Sequence, residues 1–158
     1  EYVNAVSTMD WHEVARSIEA SRKLLEALWK MDEAAVAKGV EQAHKEISVL
    51  QYNNENALSY TVSLALYAAR NFYQVYREFP SGSGFADIVY LPRKEFPDKP
   101  ALIVELKWNK SAERAIHQIL KKQYFQNLED YSGNMLLVGI NYDLKTRKHE
   151  CKILEFKK

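Results

Sequence analysis

The sequence predicts one α/β (α+β) domain, a mixed central sheet flanked by helices, with further helices at its N-terminal end. Three observations lead there. Apolar residues recur at helical spacing up to about Arg70, and the period then changes to strict alternation from Phe72. The stretches 101–108 and 135–142 are apolar on both faces, as covered central strands are. A long helical pattern lies between those two strands, which requires a crossover and hence at least one parallel pair.

The elements follow in the order α-α-α-β-β-β-α-β-β. Asp10-Trp11-His12-Glu13 reads as a capping box, with Asp10 as N-cap. Trp11, Val14, Ala15, Ile18, Leu25, Leu28 and Trp29 form the apolar stripe behind it, and the two tryptophans read as packing residues. A second helix is expected near Asp32, with Val36, Val40, Ala43 and Ile47 on one face. A third starts near Asn53-Asn54, either of which can cap it, and runs from Glu55 to Arg70. Residues 72–79 and 85–91 alternate as strands about the turn-forming Pro80-Ser81-Gly82-Ser83-Gly84. Pro92 to Pro100 reads as an exposed hairpin loop, and Ala101 to Trp108 as the third strand. A helix is expected over Ser111–Tyr131, closed by Ser132-Gly133-Asn134. Strands over 135–142 and 150–156 complete the chain.

Composition narrows the function classes. The chain has 158 residues, 47% of them hydrophobic and 27% charged, which suits one soluble domain. Nothing approaches eighteen consecutive apolar residues, so no membrane association is expected. No signal-peptide pattern opens the chain, and it begins at Glu1, so a piece of a longer protein is expected. The single cysteine, Cys151, allows no internal disulfide, which fits a reducing cytoplasm, the expected location. Residues 1–80 carry eight Lys/Arg against eleven Asp/Glu, and residues 81–158 carry fourteen against ten. The basic C-terminal half permits a polyanionic partner without requiring one. No GxxxxGK[ST] loop is present, which excludes ATP hydrolysis by that route.

The chemistry concentrates in the third strand. Ala101, Ile103, Glu105 and Lys107 share one face of it, and a lone charge there costs several kcal/mol unless paired or bound. A symmetric hairpin about the 92–100 loop sets Asp87 opposite Glu105, with side chains roughly 5 Å apart at Cβ. Two carboxylates that close repel, and a divalent cation between them removes the conflict. Carboxylate oxygens are the ligands that Mg²⁺ and Mn²⁺ take. Lys107 lies next along the same face, within reach of an anion or a water at such a metal. The competing reading is a structural ion pair, with Lys107 neutralising both acids.

Asp87 followed by Glu105-Leu106-Lys107, after a helix bearing Glu55, resembles the PD-(D/E)XK nuclease superfamily, whose core has the same order of helix, three strands, helix and strand. Tyr52-Asn53-Asn54-Glu55-Asn56, Gly84-Phe85-Ala86-Asp87-Ile88-Val89, Val104-Glu105-Leu106-Lys107-Trp108, Ala115-Ile116-His117-Gln118-Ile119 and Leu137-Val138-Gly139-Ile140-Asn141-Tyr142 look like the C-terminal nuclease-like domain of bacterial AAA-ATPase-like proteins. The resemblance covers roughly residues 45–156. The (D/E)XK element alone is a weak signal, while the whole ordered set is specific.

The resemblance implies a restriction-endonuclease-like core over 49–158, with residues 1–48 as a helical extension or linker packed on it. It implies metal-assisted phosphodiester hydrolysis of nucleic acid, DNA above all, with Mg²⁺ or Mn²⁺ as cofactor. Asp87, Glu105 and Glu55 would hold the metal, Glu55 directly or through water. Lys107 would orient the attacking water or stabilise charge on the phosphate, and Gln118 would be an auxiliary polar group. It also implies an N-terminal AAA-ATPase-like domain as partner; a homodimer through residues 1–50 is a further expectation. The alternative is a catalytically silent module that binds nucleic acid or a partner and regulates, or is regulated by, that ATPase. The chain departs from the pattern in two places. Ala86 stands where the motif's proline would be, and Tyr124 is six residues after Gln118 where some branches place a tyrosine four after the glutamine. Arg93, Lys94 and Lys99 could flank a duplex. His12, His44 and His149 show no metal-ligand spacing.

Overall fold

Caps and a change of period set the boundaries of the elements. The computed structural model describes residues 2–46, 54–81, 84–123, 128, 131 and 133–157, with side chains from Trp11 onward apart from 80, 81 and 85. Helices α1 (Tyr2–Trp29), α2 (Glu33–Glu46) and α3 (Glu55–Ala65) are followed by a 3₁₀ turn (Tyr67–Asn71) and strands β1 (Tyr73–Ser81), β2 (Gly84–Pro92) and β3 (Ala101–Trp108). Helix α4 (Ala112–Lys122) and strands β4 (Met135–Asp143) and β5 (Lys148–Phe156) complete the order. Three helices open on side-chain caps that satisfy orphan backbone donors. Asp32 Oδ1 accepts from Ala35 N at 3.1 Å, Asn54 Oδ1 from Ala57 N at 3.0 Å, and Ser111 Oγ from Arg114 N at 3.1 Å.

The five strands form one mixed sheet in the order β1-β2-β3-β4-β5. Strands β3 and β4 run parallel, joined by α4, and the other neighbours are antiparallel. This is the α/β architecture expected from the pattern, and it agrees with the restriction-endonuclease-like core that the resemblance implies, with α1 and α2 as its N-terminal helices. One face of the sheet packs against α1, α2 and α3, where Leu25, Leu28, Val40, Leu58 and Val62 meet Ile88, Leu102, Val104, Leu106 and Val138. The other face packs against α4, where Ile116 and Ile119 meet Val89, Ala101, Ile103 and Leu137. Each of these Val, Leu and Ile side chains contributes about 1.5–3 kcal/mol by leaving water.

Two contacts position the site. Gly139 of β4 faces the start of α4, and a Cβ there would lie 2.5 Å from the Ala112 carbonyl oxygen. Glycine therefore sets how closely α4 can approach the sheet. At the other edge, Tyr73 accepts from Trp29 Nε1 and donates to the Pro100 carbonyl, both at 2.7 Å. Lys99 lies over the Trp29 ring, 4.2 Å from its centroid. That cation–π contact fastens the 92–100 loop to α1 and points Lys99 inward rather than toward a duplex.

Several sequence expectations need correction. Helix α1 runs unbroken through Asp10, so Asp10 is no N-cap; nothing in 2–10 is a strong helix breaker. Trp11, Val14 and Ile18 are exposed, Trp11 by 72%, because α2, α3 and the 3₁₀ turn pack only against the C-terminal half of α1, from Ser21 onward. The third helix stops at Ala65 and tightens to 3₁₀ before β1. The fourth stops at Lys122, where Gln123 adopts a left-handed cap at φ 53° and ψ 46° in place of a helix continuing to Tyr131. Tyr124, Tyr52, Asn53 and Ile47 lie outside the described residues. No helix among the described residues is long and apolar enough to cross a membrane.

Candidate active site

The hairpin register decides which charges meet. The β2–β3 ladder pairs Ile88 with Val104, Val89 with Ile103 and Tyr90 with Leu102. Continued by one residue, that register sets Asp87 against Glu105. Here the Asp87 side chain takes over a backbone task, and its Oδ2 accepts from Leu106 N at 2.8 Å. The carboxylate of Asp87 is thereby held at the point where β2 and β3 part.

Glu105 is buried, with 3% of its side chain exposed. On its Oε1 converge the Gln118 amide, which donates from Nε2, and the Lys107 ammonium at 3.5 Å. Lys107 Nζ also donates to Gln118 Oε1 at 2.5 Å. Glu105, Lys107 and Gln118 thus close a triangle between β3 and α4. The other carboxylate oxygen, Oε2, is buried and makes no hydrogen bond among the described residues. Burial, then the neighbouring Asp87 charge, push the Glu105 carboxyl up to about 8 from 4.5, against the pull of Lys107. Asp87 is raised as well, by burial first, with its Leu106 hydrogen bond opposing and the Glu55 charge adding to the rise.

Glu55 stands in the first turn of α3, directly after the Asn54 cap, and is exposed. It reaches the site from the other side of Asp87. A cavity of about 480 Å³ is lined by Glu55, Asn56, Ser59, Tyr60, Arg77, Glu78, Asp87 and Leu106. Glu55 and Asp87 therefore share a cavity, while Glu105, Lys107 and Gln118 are not among its lining residues. Among the described residues, no group of three or more His, Cys, Asp or Glu side chains is arranged to hold a metal.

Glu78 belongs to the cavity and was missed in the sequence. It is one of the non-glycine residues with positive φ, at 51°. Its neighbours Arg77 and Phe79 pair with Ile88 and Ala86, so the same register sets Glu78 opposite Asp87. Its charge also raises the Asp87 carboxyl. A signal was available: the hairpin arithmetic applied about Gly82-Ser83 gives position 78 as the partner of 87. Arg77, which donates to Ser59 Oγ at 2.9 Å, was missed too.

The residues present suit a divalent cation in one specific respect. Two adjacent carboxylates, one with a buried unbonded oxygen, supply hard oxygen donors and a local excess of negative charge. The aromatic and histidine cluster of His44, Tyr142 and His149 lies elsewhere, between α2 and β5, with the His44 and His149 ring centroids 5.6 Å apart.

Comparison with known families gives a match to the family model described as the PD-(D/E)XK nuclease superfamily, over residues 53–152. Among curated proteins, no sequence match was found.

Proposed function

Starting from the fact that this chain belongs to the PD-(D/E)XK nuclease superfamily, we propose that it is a Mg²⁺- or Mn²⁺-dependent nuclease domain hydrolysing phosphodiester bonds, with DNA as substrate. The superfamily implies a nucleic-acid substrate and the general use of divalent metals. One observation carries the reading for this chain: Asp87 and Glu105 are neighbours on partly buried strands, and Glu105 Oε2 is left without a hydrogen bond.

In this reading Asp87, Glu105 and Glu55 hold the cation. A bound divalent cation supplies a water of lowered pKa and shields charge on the phosphate. The chain's own side chains prepare the site for it. Gln118 fixes Glu105 through Oε1 and leaves Oε2 as the oxygen without a hydrogen bond. Lys107, anchored by the same amide, presents a positive charge where a phosphate oxygen gains negative charge. Asp87 is fixed by Leu106 N, which leaves its Oδ1 as the ligand oxygen.

The test is cleavage of single-stranded and duplex DNA and RNA with Mg²⁺ or Mn²⁺, beside Asp87→Ala and Glu105→Gln proteins. Metal-dependent cleavage lost in both variants supports the reading. Absence of cleavage on every substrate, in a protein that binds Mn²⁺ by calorimetry, counts against it.

A second reading has its own observation. Lys107 already lies 3.5 Å from Glu105 Oε1, and among the described residues no group of three or more His, Cys, Asp or Glu side chains is arranged to hold a metal. This favours a silent module that binds nucleic acid or a partner, under the control of an AAA-ATPase-like domain. Nucleic-acid binding that survives Glu105→Ala, without turnover, identifies that case. Two companion proposals concern assembly: residues 1–48 act as a helical extension of the 49–158 nuclease-like domain, and two copies associate through the exposed Trp11, Val14 and Ile18 face of α1 in the cytoplasm. Light scattering of the protein beside a Trp11→Ser, Ile18→Ser variant reads the second.

A further inference from the structure

The solvent side of α3 carries a feature that neither reading of the acidic site uses. Tyr60, Leu64 and Tyr67 are 53%, 40% and 59% exposed. Tyr60 and Leu64, at i and i+4 on α3, lie opposite the buried Leu58, Val62 and Ala65, and Tyr67 opens the 3₁₀ turn that follows. The line starts inside the site, because Tyr60 lines the same cavity as Asp87. It ends at Tyr67, in the 3₁₀ turn after α3.

Guanidinium groups accompany the rings. Arg77 lines the cavity beside Tyr60 and donates to Ser59 Oγ. Arg70 lies over the Tyr67 ring, 5.4 Å from its centroid. Arg93 Nε donates to the Arg70 carbonyl at 3.1 Å, which holds its guanidinium at the same end. The charges of Arg70 and Arg77 both reach the buried Tyr90 beneath. None of Arg70, Arg77 and Arg93 has an acidic side chain within ion-pair distance among the described residues.

Exposed aromatic rings accompanied by guanidiniums that have no acidic partner among the described residues recognise a ligand that is both anionic and aromatic. We propose that the Tyr60–Leu64–Tyr67 ledge, with Arg70, Arg77 and Arg93, binds single-stranded nucleic acid and leads it into the cavity at Asp87. The rings stack on bases and the guanidiniums hold phosphates. A duplex hides its base faces, so only an unpaired strand can use both features. The inference rests on the nucleic-acid reading of the site and adds which strand form it takes and by what path.

The experiment is fluorescence anisotropy of a labelled twelve-residue oligothymidylate on the Asp87→Asn protein in EDTA, where no cleavage competes. A duplex of equal length is the comparison. Expected is tighter binding of the single strand, weakened about five- to a hundredfold by Tyr60→Ala or Tyr67→Ala. Tyr60→Leu with Tyr67→Leu, which keeps apolar surface but removes stacking, is expected to lose binding as the alanine pair does; the Phe pair is expected to retain it. These residues are exposed, and an unchanged Tm confirms that each variant folds. Preference for the duplex, full binding by the Leu pair, or no binding at low salt overturns the ledge. So does self-association or vesicle binding that alone depends on Tyr60 and Tyr67. The outcomes separate the two claims. Stacking-dependent binding without any metal-dependent cleavage by the parent protein sinks the nuclease reading and keeps the ledge. Cleavage of single strands unaffected by the Leu pair does the reverse.

Discussion

Glu105 of β3 is paired across the parallel ladder with Gly139 of β4. The carboxylate that anchors the site thus sits beside a position where a side chain would strike the backbone of α4. A Cβ at 139 would meet the Ala112 carbonyl oxygen at 2.5 Å and the Ala115 Cβ at 2.9 Å. Backbone cannot yield as a flexible side chain can, so Gly139→Ala forces α4 away from the sheet. The expected cost is about 1–3 kcal/mol, read from the denaturant midpoint. Because α4 carries Gln118, nucleolytic activity should fall further than the lost stability explains.

Asp87 serves Leu106 N as well as the site. Asp87→Asn keeps a carbonyl oxygen for that N–H and should fold with a Tm at or above the parent's. It should show no Mn²⁺-induced rise in Tm and no cleavage. Asp87→Ala leaves the N–H without its acceptor and should lose about 1–3 kcal/mol in addition. Equal stability of the two variants would remove the structural half of this account.

The Glu105 carboxyl is raised from 4.5 to about 8, so the metal-free fold favours its protonated form. The native state then holds more protons than the unfolded chain between those values, and stability falls as pH rises. The stabilisation is complete below about pH 4.5 and gone once pH has passed through about 8. Chemical denaturation in EDTA should show this decline, and Glu105→Gln should flatten it. Added Mn²⁺ should raise Tm more at pH 8.5 than at pH 6, since a metal needs the carboxylate ionised.

His149 has the opposite sign. Burial first, then the His44 charge, lower it from 6.5 to about 4, with Glu41 opposing. The unfolded chain binds the extra proton between those values, so the contribution is present above pH 6.5 and lost as pH falls through about 4. His149→Phe keeps a ring against Tyr142, whose centroid is 4.8 Å away. It should remove that part of the acid sensitivity, measured as the change in Tm from pH 7 to pH 4.5.

The two halves of α1 should respond differently to truncation. Leu25 is fully buried, whereas Trp11 is 72% exposed. Leu25→Ala should cost about 2–5 kcal/mol, while Trp11→Ser should stay within about 0.5 kcal/mol. Calorimetric Tm values of the two variants in dilute protein check the contrast for the single copy, and a loss for Trp11→Ser that grows with protein concentration is the sign of association through this face.

The sequence by itself determined the order of elements, the mixed sheet and the meeting of Asp87 with Glu105. Each follows from short-range rules. Period separates strand from helix, Asn54 and Ser111 cap locally, and a hairpin about the 92–100 loop has its register set by symmetry. The boundaries of β3, at Ala101 and Trp108, were legible because proline precedes the strand and its apolar run is continuous. The same reasoning would have yielded Glu78, had it been applied to the first hairpin.

The tertiary structure alone decided what depends on surfaces meeting. Helical spacing is the same whether a stripe packs or faces water, so Trp11 and Leu25 look alike in sequence and differ in burial. Gln118 and Lys107 are eleven residues apart, and only the closeness of α4 to β4, set by Gly139, brings both to one oxygen of Glu105. Lys99, which by sequence could flank a duplex with Arg93 and Lys94, instead lies over the ring of Trp29, far away in the chain. Glu55 and Asp87 share a cavity because the start of α3 sits at the end of the sheet where β2 and β3 part. Burial, orientation and pKa are properties of the packed neighbours, and those neighbours come from segments that a local pattern does not relate.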